Sequence, residues 1–182
     1  MIEFILWLAI LYFVIMFGAS RLVMPHLRYE PVPDEIPAEM MKQISALKKK
    51  YKTKEAFLKG AYEFVVDRYE SKFMGAFLYF HRNFWRDTHK IWHHKGVLAC
   101  TVLSFLLRVM LVKSGMFKED EIVNTHSICG PSIHQFLHVK VGKKWIYADP
   151  WGACHDVKFG EYGGWRVMAK VKEVGRKVFK PN

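Results

Sequence analysis

The stretch Gly96-Val97-Leu98-Ala99-Cys100-Thr101-Val102-Leu103-Ser104-Phe105-Leu106-Leu107-Arg108 places a cysteine at the head of a nearly all-apolar run. The run continues to Val112, and Arg108 is its only charge. A helix that is apolar on every side is buried, and a glycine just past its end is a typical stop signal. We therefore predict a buried central helix that begins near Gly96, about one turn before Cys100, and closes at Ser114-Gly115.

Cys100 is a candidate nucleophile because of its place in this helix. The positive end of a helix dipole favours the thiolate over the thiol. By itself, however, a cysteine in an apolar helix is more often a small buried hydrophobe. The chain has two other cysteines, Cys129 and Cys154, and no pair has the CxxC spacing of a zinc or redox site. Cys129 precedes a Gly-Pro turn with no helix to activate it, so it is the weaker candidate.

Two strand-like runs downstream of the helix supply partners for the thiol. Residues 121–129 read as one strand, and residues 136–141 and 145–149 read as a hairpin. A turn of even length puts His138 and Asp149 on the same face, opposite each other or diagonal. An imidazole that takes the thiol proton, with a carboxylate to orient it, is what a cysteine nucleophile needs. The pattern predicts Cys100, His138 and Asp149 as a triad.

These features together resemble the transglutaminase-like cysteine enzymes, a branch of the papain-like α+β fold. The resemblance covers roughly residues 54–151. It rests on the glycine before Cys100, the long buried helix, the strand that follows, and the segments His138-Val139-Lys140-Val141, Gly142-Lys143-Lys144-Trp145 and Tyr147-Ala148-Asp149-Pro150. It implies a central cysteine helix packed on an antiparallel sheet, and it implies the same three residues as nucleophile, general base and orienting acid.

The resemblance also implies a reaction. We expect attack on the carboxamide or peptide carbonyl of a protein or peptide, giving a thioester that water or an amine resolves, without a cofactor. The oxyanion donors would be the backbone N–H of Cys100 and the indole N–H of Trp92 or Trp85, although core packing is the simpler role for either tryptophan.

Of two other classes of function, an inactive interaction domain remains open and nucleic-acid binding is disfavoured. Gly96 stands four residues before Cys100 where the family has Gly-x-Cys, and Val139 follows His138 where the family often has an aromatic residue. The alternative is thus an inactive, membrane-tethered interaction domain of the same fold. The net charge is +11, but the basic residues are spread along the chain with acidic residues among them. This pattern does not favour nucleic-acid binding.

Histidine pairs and clusters raise a further alternative, a metal site. The candidates are His89, His93 and His94 on a short helix, and His134 with His138. Because His138 lies in a strand-like run, a four-residue spacing does not give a shared helical face there. Surface or capping histidines are the simpler interpretation, and no metal is predicted.

The N-terminal run Phe4–Ser20 has seventeen residues without a charge. That is the low end of a membrane-spanning helix. We predict a transmembrane anchor over 1–20, a proline-rich linker over 21–36 and the transglutaminase-like domain over 37–182. A cleaved signal peptide and a buried core helix are the rivals, and Glu3 argues against the first. Basic residues after the run, beginning with Arg21, place the domain on the cytoplasmic side.

Local signals predict further elements. Thr53 caps an amphipathic helix over 54–69, and Asp87 caps a short helix through Trp92. Valine-rich runs in the glycine-containing tail suggest additional strands.

Overall fold

A computed structural model describes residues 2–23, 30–71, 80–129 and 132–163 of the chain. Five α-helices are described: α1 (Ile2–Val23), α2 (Ala38–Lys50), α3 (Lys54–Arg68), α4 (Thr88–His93) and α5 (Cys100–Lys113). Three strands follow them: β1 (Ile122–Cys129), β2 (Ser132–Val141) and β3 (Lys144–Ala148). Short 3-10 helices cover Phe80–Phe84, Glu119–Glu121 and Gly152–His155.

The predicted α+β class is confirmed. The three strands form one antiparallel sheet in the order β1-β2-β3, and the helices precede it in the chain. The predicted helix starts at Thr53 and Asp87 are also confirmed, because each side chain accepts backbone N–H groups of the first turn. The core is shared by α2, α3, α4, α5 and the sheet face that packs against α5.

Helix α5 begins later than the sequence predicts. Ala99 is the N-cap with extended backbone, so Cys100 is the first helical residue rather than one turn inside. Gly96 has φ +124°, which L-residues with side chains rarely adopt, and the helix cannot extend back through it. All residues from Cys100 to Leu111 are buried, and Gly115 with φ +70° follows the helix end. The predicted buried helix and its stop are therefore confirmed, with a corrected start.

The hairpin has the even-length turn that the sequence predicts, in the second of its two possible positions. Val141 pairs with Lys144, so the turn is the two-residue loop 142–143, and His138 stands opposite Tyr147. Strand β3 ends at Ala148, which leaves Asp149 past the paired register. The alternative in which His138 and Asp149 face each other directly is wrong. Strand β2 begins at residue 132, four residues before the predicted start.

Arg108, the only charged residue in the buried part of α5, makes several hydrogen bonds. Its side chain donates to the backbone carbonyls of Glu30, Glu119 and Ile122 and contacts the Glu119 carboxylate. Glu30 in turn pairs with Arg86 and accepts from Asn124. This polar cluster ties the segment before α2 and the start of β1 to the middle of α5.

The predicted anchor and linker are described only in part. Helix α1 covers the predicted anchor and continues three residues beyond it, to Val23. Within the described ranges, no helix has the length and apolarity needed to cross a membrane. Residues 24–29 of the linker lie outside the described residues, as do the predicted tail strands after residue 163.

Candidate active site

Cys100 occupies the N-terminal end of α5. The residue is 9 % exposed, so Cys100 is buried but keeps a small accessible surface. As the first helical residue, its backbone N–H has no partner four residues back within the helix. The same helix end thus offers a dipole that favours a thiolate and a backbone donor next to the sulfur.

The histidine that meets this thiol is His134, on β2. His134 is buried, and its Nε2 donates to Oδ2 of Asp149 at 2.7 Å. The Cys100 side chain lies close enough to the His134 ring to raise the pKa of the imidazole. Because Nε2 is engaged by the carboxylate, Nδ1 is the nitrogen left for the thiol. The three side chains form one buried chain of contacts: Cys100, His134, Asp149.

The charges of this chain act on the pKa of His134. Burial by itself lowers that pKa, because it disfavours the charged imidazolium. The Asp149 carboxylate and the Cys100 sulfur oppose burial and outweigh it, and the pKa of His134 lies well above its ordinary value of 6.5. These two groups therefore stabilise the protonated imidazolium of His134.

Asp149 is held in place by backbone donors on both carboxylate oxygens. The N–H of Gly152 donates to Oδ1 at 2.8 Å, and the N–H of Gly163 donates to Oδ2 at 2.7 Å. A Cβ atom added at Gly152 would lie 2.5 Å from Oδ2, so this backbone approach requires glycine. With His134, the carboxylate accepts three hydrogen bonds while it is 1 % exposed.

Aromatic rings cover the histidine of the pair. The Trp151 ring lies 4.8 Å from the His134 ring, and Phe136 lies 5.8 Å away on the same face of β2. These rings exclude water from the contact between His134 and Asp149, which strengthens the electrostatic interaction between them.

His138, the predicted base, is not part of this chain of contacts. Its ring lies between Trp145 and Tyr147, with centroids 4.8 and 4.4 Å away. Burial lowers the pKa of His138 to about 4. The predicted placement of His138 beside Asp149 is therefore corrected: Cys100 and Asp149 belong to one site, and their histidine is His134. From the sequence, His134 is a candidate only as a metal ligand.

The two tryptophans predicted as oxyanion donors have other contacts. Trp92 is buried, stacks on Phe64 at 5.8 Å and lies under the Arg68 guanidinium. Trp85 contacts His94 edge-on and carries Lys90 over its ring. These contacts fit the simpler packing role, and the backbone N–H of Cys100 is the donor best placed by the helix.

Cys154 and the candidate metal ligands His89, His93 and His94 are not among the contacts of the candidate site, whereas His134 belongs to it. Cys154 is free and exposed in the 3-10 helix that follows Asp149, and Cys129 ends β1. Across the part of the chain that the structure describes, no group of three or more His, Cys, Asp or Glu side chains is arranged to hold a metal. The metal alternative has no support in those residues.

Comparisons with known proteins add nothing to this geometry. No protein-family model, curated protein or solved structure matches the chain.

Proposed function

We propose that the chain is a cysteine-dependent hydrolase or acyltransferase acting on amide or peptide bonds. Cys100 is the nucleophile, His134 the general base and acid, and Asp149 the residue that orients His134. The observation that carries the proposal is that Cys100, at the N-terminus of α5, lies beside His134, which is hydrogen-bonded to the buried Asp149 carboxylate. Three features together activate a thiol nucleophile: a helix N-terminus, an imidazole and a carboxylate shielded from water.

The proposed reaction proceeds in two halves. The thiolate sulfur attacks the carbonyl carbon, a C–S bond forms, and the carbonyl electron pair moves to oxygen beside the N–H of Cys100. The C–N bond then breaks, the leaving amine takes a proton from His134, and a thioester remains. Water gives a proton to His134 and attacks the thioester, and the C–S bond breaks to release the acid. An amine in place of water gives acyl transfer, but water needs no binding site, so hydrolysis is favoured.

The fold proposed for this chemistry is a papain-like core of the transglutaminase type. Its support is the order of elements: a cysteine that opens a buried helix, then three antiparallel strands with the histidine on the second and the aspartate just after the third. The alternative is an inactive interaction domain of the same architecture, which would keep the packing and lose the thiol chemistry.

The thiol chemistry is tested by alkylation of Cys100 with iodoacetamide, followed by peptide mass spectrometry at pH values from 5 to 9. An ordinary thiol has a pKa of about 8.5 and is scarcely ionised at pH 6. We expect Cys100 to react at pH 6, and His134→Ala to slow it there by about tenfold or more.

The matched control is His138→Ala, on the same strand and the same face. It is expected to leave the alkylation profile of Cys100 unchanged. If Cys100 reacts no faster at pH 6 than the exposed Cys154, the enzyme proposal fails and the inactive domain is favoured. If His138→Ala slows the alkylation of Cys100 and His134→Ala does not, the base is His138, as the sequence predicts.

We also propose that α1 attaches the domain to a lipid surface. The support is that consecutive large apolar side chains of this helix are exposed, among them Phe4, Trp7 and Leu11. Contiguous exposed apolar surface marks a site of interaction with a membrane or a partner. The net charge of +11 favours anionic headgroups.

A further inference from the structure

The backbone of Gly163 is hydrogen-bonded both to the candidate pair of His134 and Asp149 and to strand β1. The Gly163 N–H donates to Oδ2 of Asp149, the same oxygen that accepts from His134. The carbonyl of Gly163 accepts a short hydrogen bond from the Ser127 hydroxyl. The N–H and the carbonyl of this one residue thus connect the carboxylate to strand β1.

Ser127 is placed by the sheet to take part in this arrangement. It pairs directly with His134 across β1 and β2, so the two side chains lie on the same face. Ser127 is 3 % exposed, and its hydroxyl is directed to the Gly163 carbonyl rather than to solvent. The contacts close a ring: Ser127, Gly163, Asp149, His134 and back to Ser127 through the strand pairing.

This ring fixes where Oδ2 of Asp149 can lie. Its Oδ1 accepts from the Gly152 N–H, while the position of Oδ2 depends on the backbone of Gly163. Gly163 comes fourteen residues after Asp149, and the Ser127 hydroxyl anchors its carbonyl. Without the hydroxyl, a buried carbonyl would lose its donor and the backbone at Gly163 would be free to shift.

We propose that Ser127 is a positioning residue of the reaction, which sets the His134–Asp149 hydrogen bond through the backbone of Gly163. The inference rests on the proposed function of the Cys100 site. It assigns to β1 a role in catalysis beyond pairing with β2. Ser127 touches no reacting atom, so its effect is on the protonation of the Cys100–His134 pair.

The test uses two substitutions of equal shape in the full chain. Ser127→Thr keeps the hydroxyl, and Ser127→Val replaces it with a methyl group. The readout is the pH profile of Cys100 alkylation by iodoacetamide. We expect Ser127→Thr to keep the wild-type profile and Ser127→Val to lose about tenfold in rate at pH 6, the order that a displaced catalytic group costs.

The control for general destabilisation is Ser114→Ala at the far end of α5. Ser114 is also buried and its hydroxyl also donates to a backbone carbonyl, that of Leu111. Ser114→Ala should lower the free energy of unfolding without changing the pH profile of Cys100 alkylation. A second readout is the proton resonance of the His134 Nε2–H group, which should shift upfield in Ser127→Val as its hydrogen bond weakens.

The outcomes separate this inference from the proposed function. If His134→Ala leaves the profile as in the wild type, the proposed function fails. If His134→Ala moves the profile and Ser127→Val does not, the site stands and the role of Ser127 is overturned. Should Ser127→Val not fold, Ser127→Ala removes the same hydroxyl without added bulk, and an unchanged profile there overturns the inference equally.

Discussion

At the scale of single residues, two histidines on one strand have opposite electrostatic environments. His134 and His138 lie on the same face of β2, four residues apart. His134 meets a carboxylate and a thiol, and its pKa is raised. His138 meets the rings of Trp145 and Tyr147, and burial lowers its pKa to about 4. The partner of each imidazole, rather than its burial, decides which of them is charged.

The lowered pKa of His138 predicts a loss of stability in acid. In the unfolded chain a histidine titrates near pH 6.5, whereas folded His138 stays neutral until about pH 4. As the pH falls from about 6.5 to 4, the unfolded chain takes up a proton that the native protein does not. The free energy of unfolding therefore decreases over that range. The effect of His134 on stability has the opposite sign. Its contribution to the free energy of unfolding is complete below about pH 6.5 and is lost as the pH rises through its raised pKa.

Denaturant unfolding at several pH values between 4 and 7 checks this prediction. We expect His138→Phe, which keeps an aromatic ring between Trp145 and Tyr147, to lose less stability on acidification than the wild type. A His138→Phe curve that runs parallel to the wild-type curve over this range would show that His138 does not carry the effect.

The sequence predicts two of the three site residues, and the third is missed for a physical reason. Cys100 and Asp149 are marked by a helix start and by the end of a strand. His134 lies in the part of β2 before residue 136, where the sequence gives no clear strand start. Beyond Ala148 the chain runs antiparallel to β2, towards its lower-numbered end, so Asp149 approaches His134 and moves away from His138. The alternation of His134, Phe136 and His138 on one face is the signal that could have found it.

At the scale of elements, α5 joins two roles in one helix. Its first residue carries the thiol, and its third turn carries Arg108, which binds the chain on the opposite side of the core. The residues next to Arg108 in the helix are apolar, so the buried guanidinium charge is stabilised by hydrogen-bond acceptors on other segments of the chain. Those acceptors come from Glu30, Glu119 and Ile122, three segments distant from the thiol.

Arg108→Leu is expected to destabilise the protein by about 3–5 kcal/mol, as loss of one partner in a buried charged network does. The substitution leaves three carbonyls without their donor and Glu30 with one fewer nearby cation. Arg108→Lys should recover only part of the loss, because an ammonium group cannot reproduce the guanidinium fork. Guanidinium chloride unfolding measures both variants.

The control for this prediction is Lys113→Ala in the last turn of the same helix. The Lys113 ammonium donates to the Asp34 carbonyl at the exposed surface, so its loss should cost well under about 1 kcal/mol. An Arg108→Leu protein as stable as Lys113→Ala would show that the cluster around Glu30 does not depend on the guanidinium.

At the scale of the whole molecule, the sequence predicts the architecture better than the register. Apolar runs, caps and turn signals locate α3, α4, α5 and the three strands, because each depends on local chemistry near the residues concerned. The start of β2, the hairpin offset and the contact of Gly163 with Asp149 depend on tertiary packing between distant segments. The polar cluster of Glu30, Arg86 and Arg108 is likewise invisible in sequence, since its members lie up to 78 residues apart.

The exposed apolar helix α1 gives the last prediction. We expect the full chain to sediment with vesicles of phosphatidylglycerol more completely than with vesicles of phosphatidylcholine, because the net charge of +11 adds electrostatic attraction to the apolar contact. Leu8→Asp combined with Leu11→Asp places two charges on one side of the exposed helix and should abolish binding to both kinds of vesicle. Lys113→Ala, distant along the chain and outside α1, serves as the matched control and should bind as the wild type does. If the chain stays in solution with vesicles present and sediments as a dimer that the double variant dissociates, α1 binds a second copy and the lipid proposal is overturned.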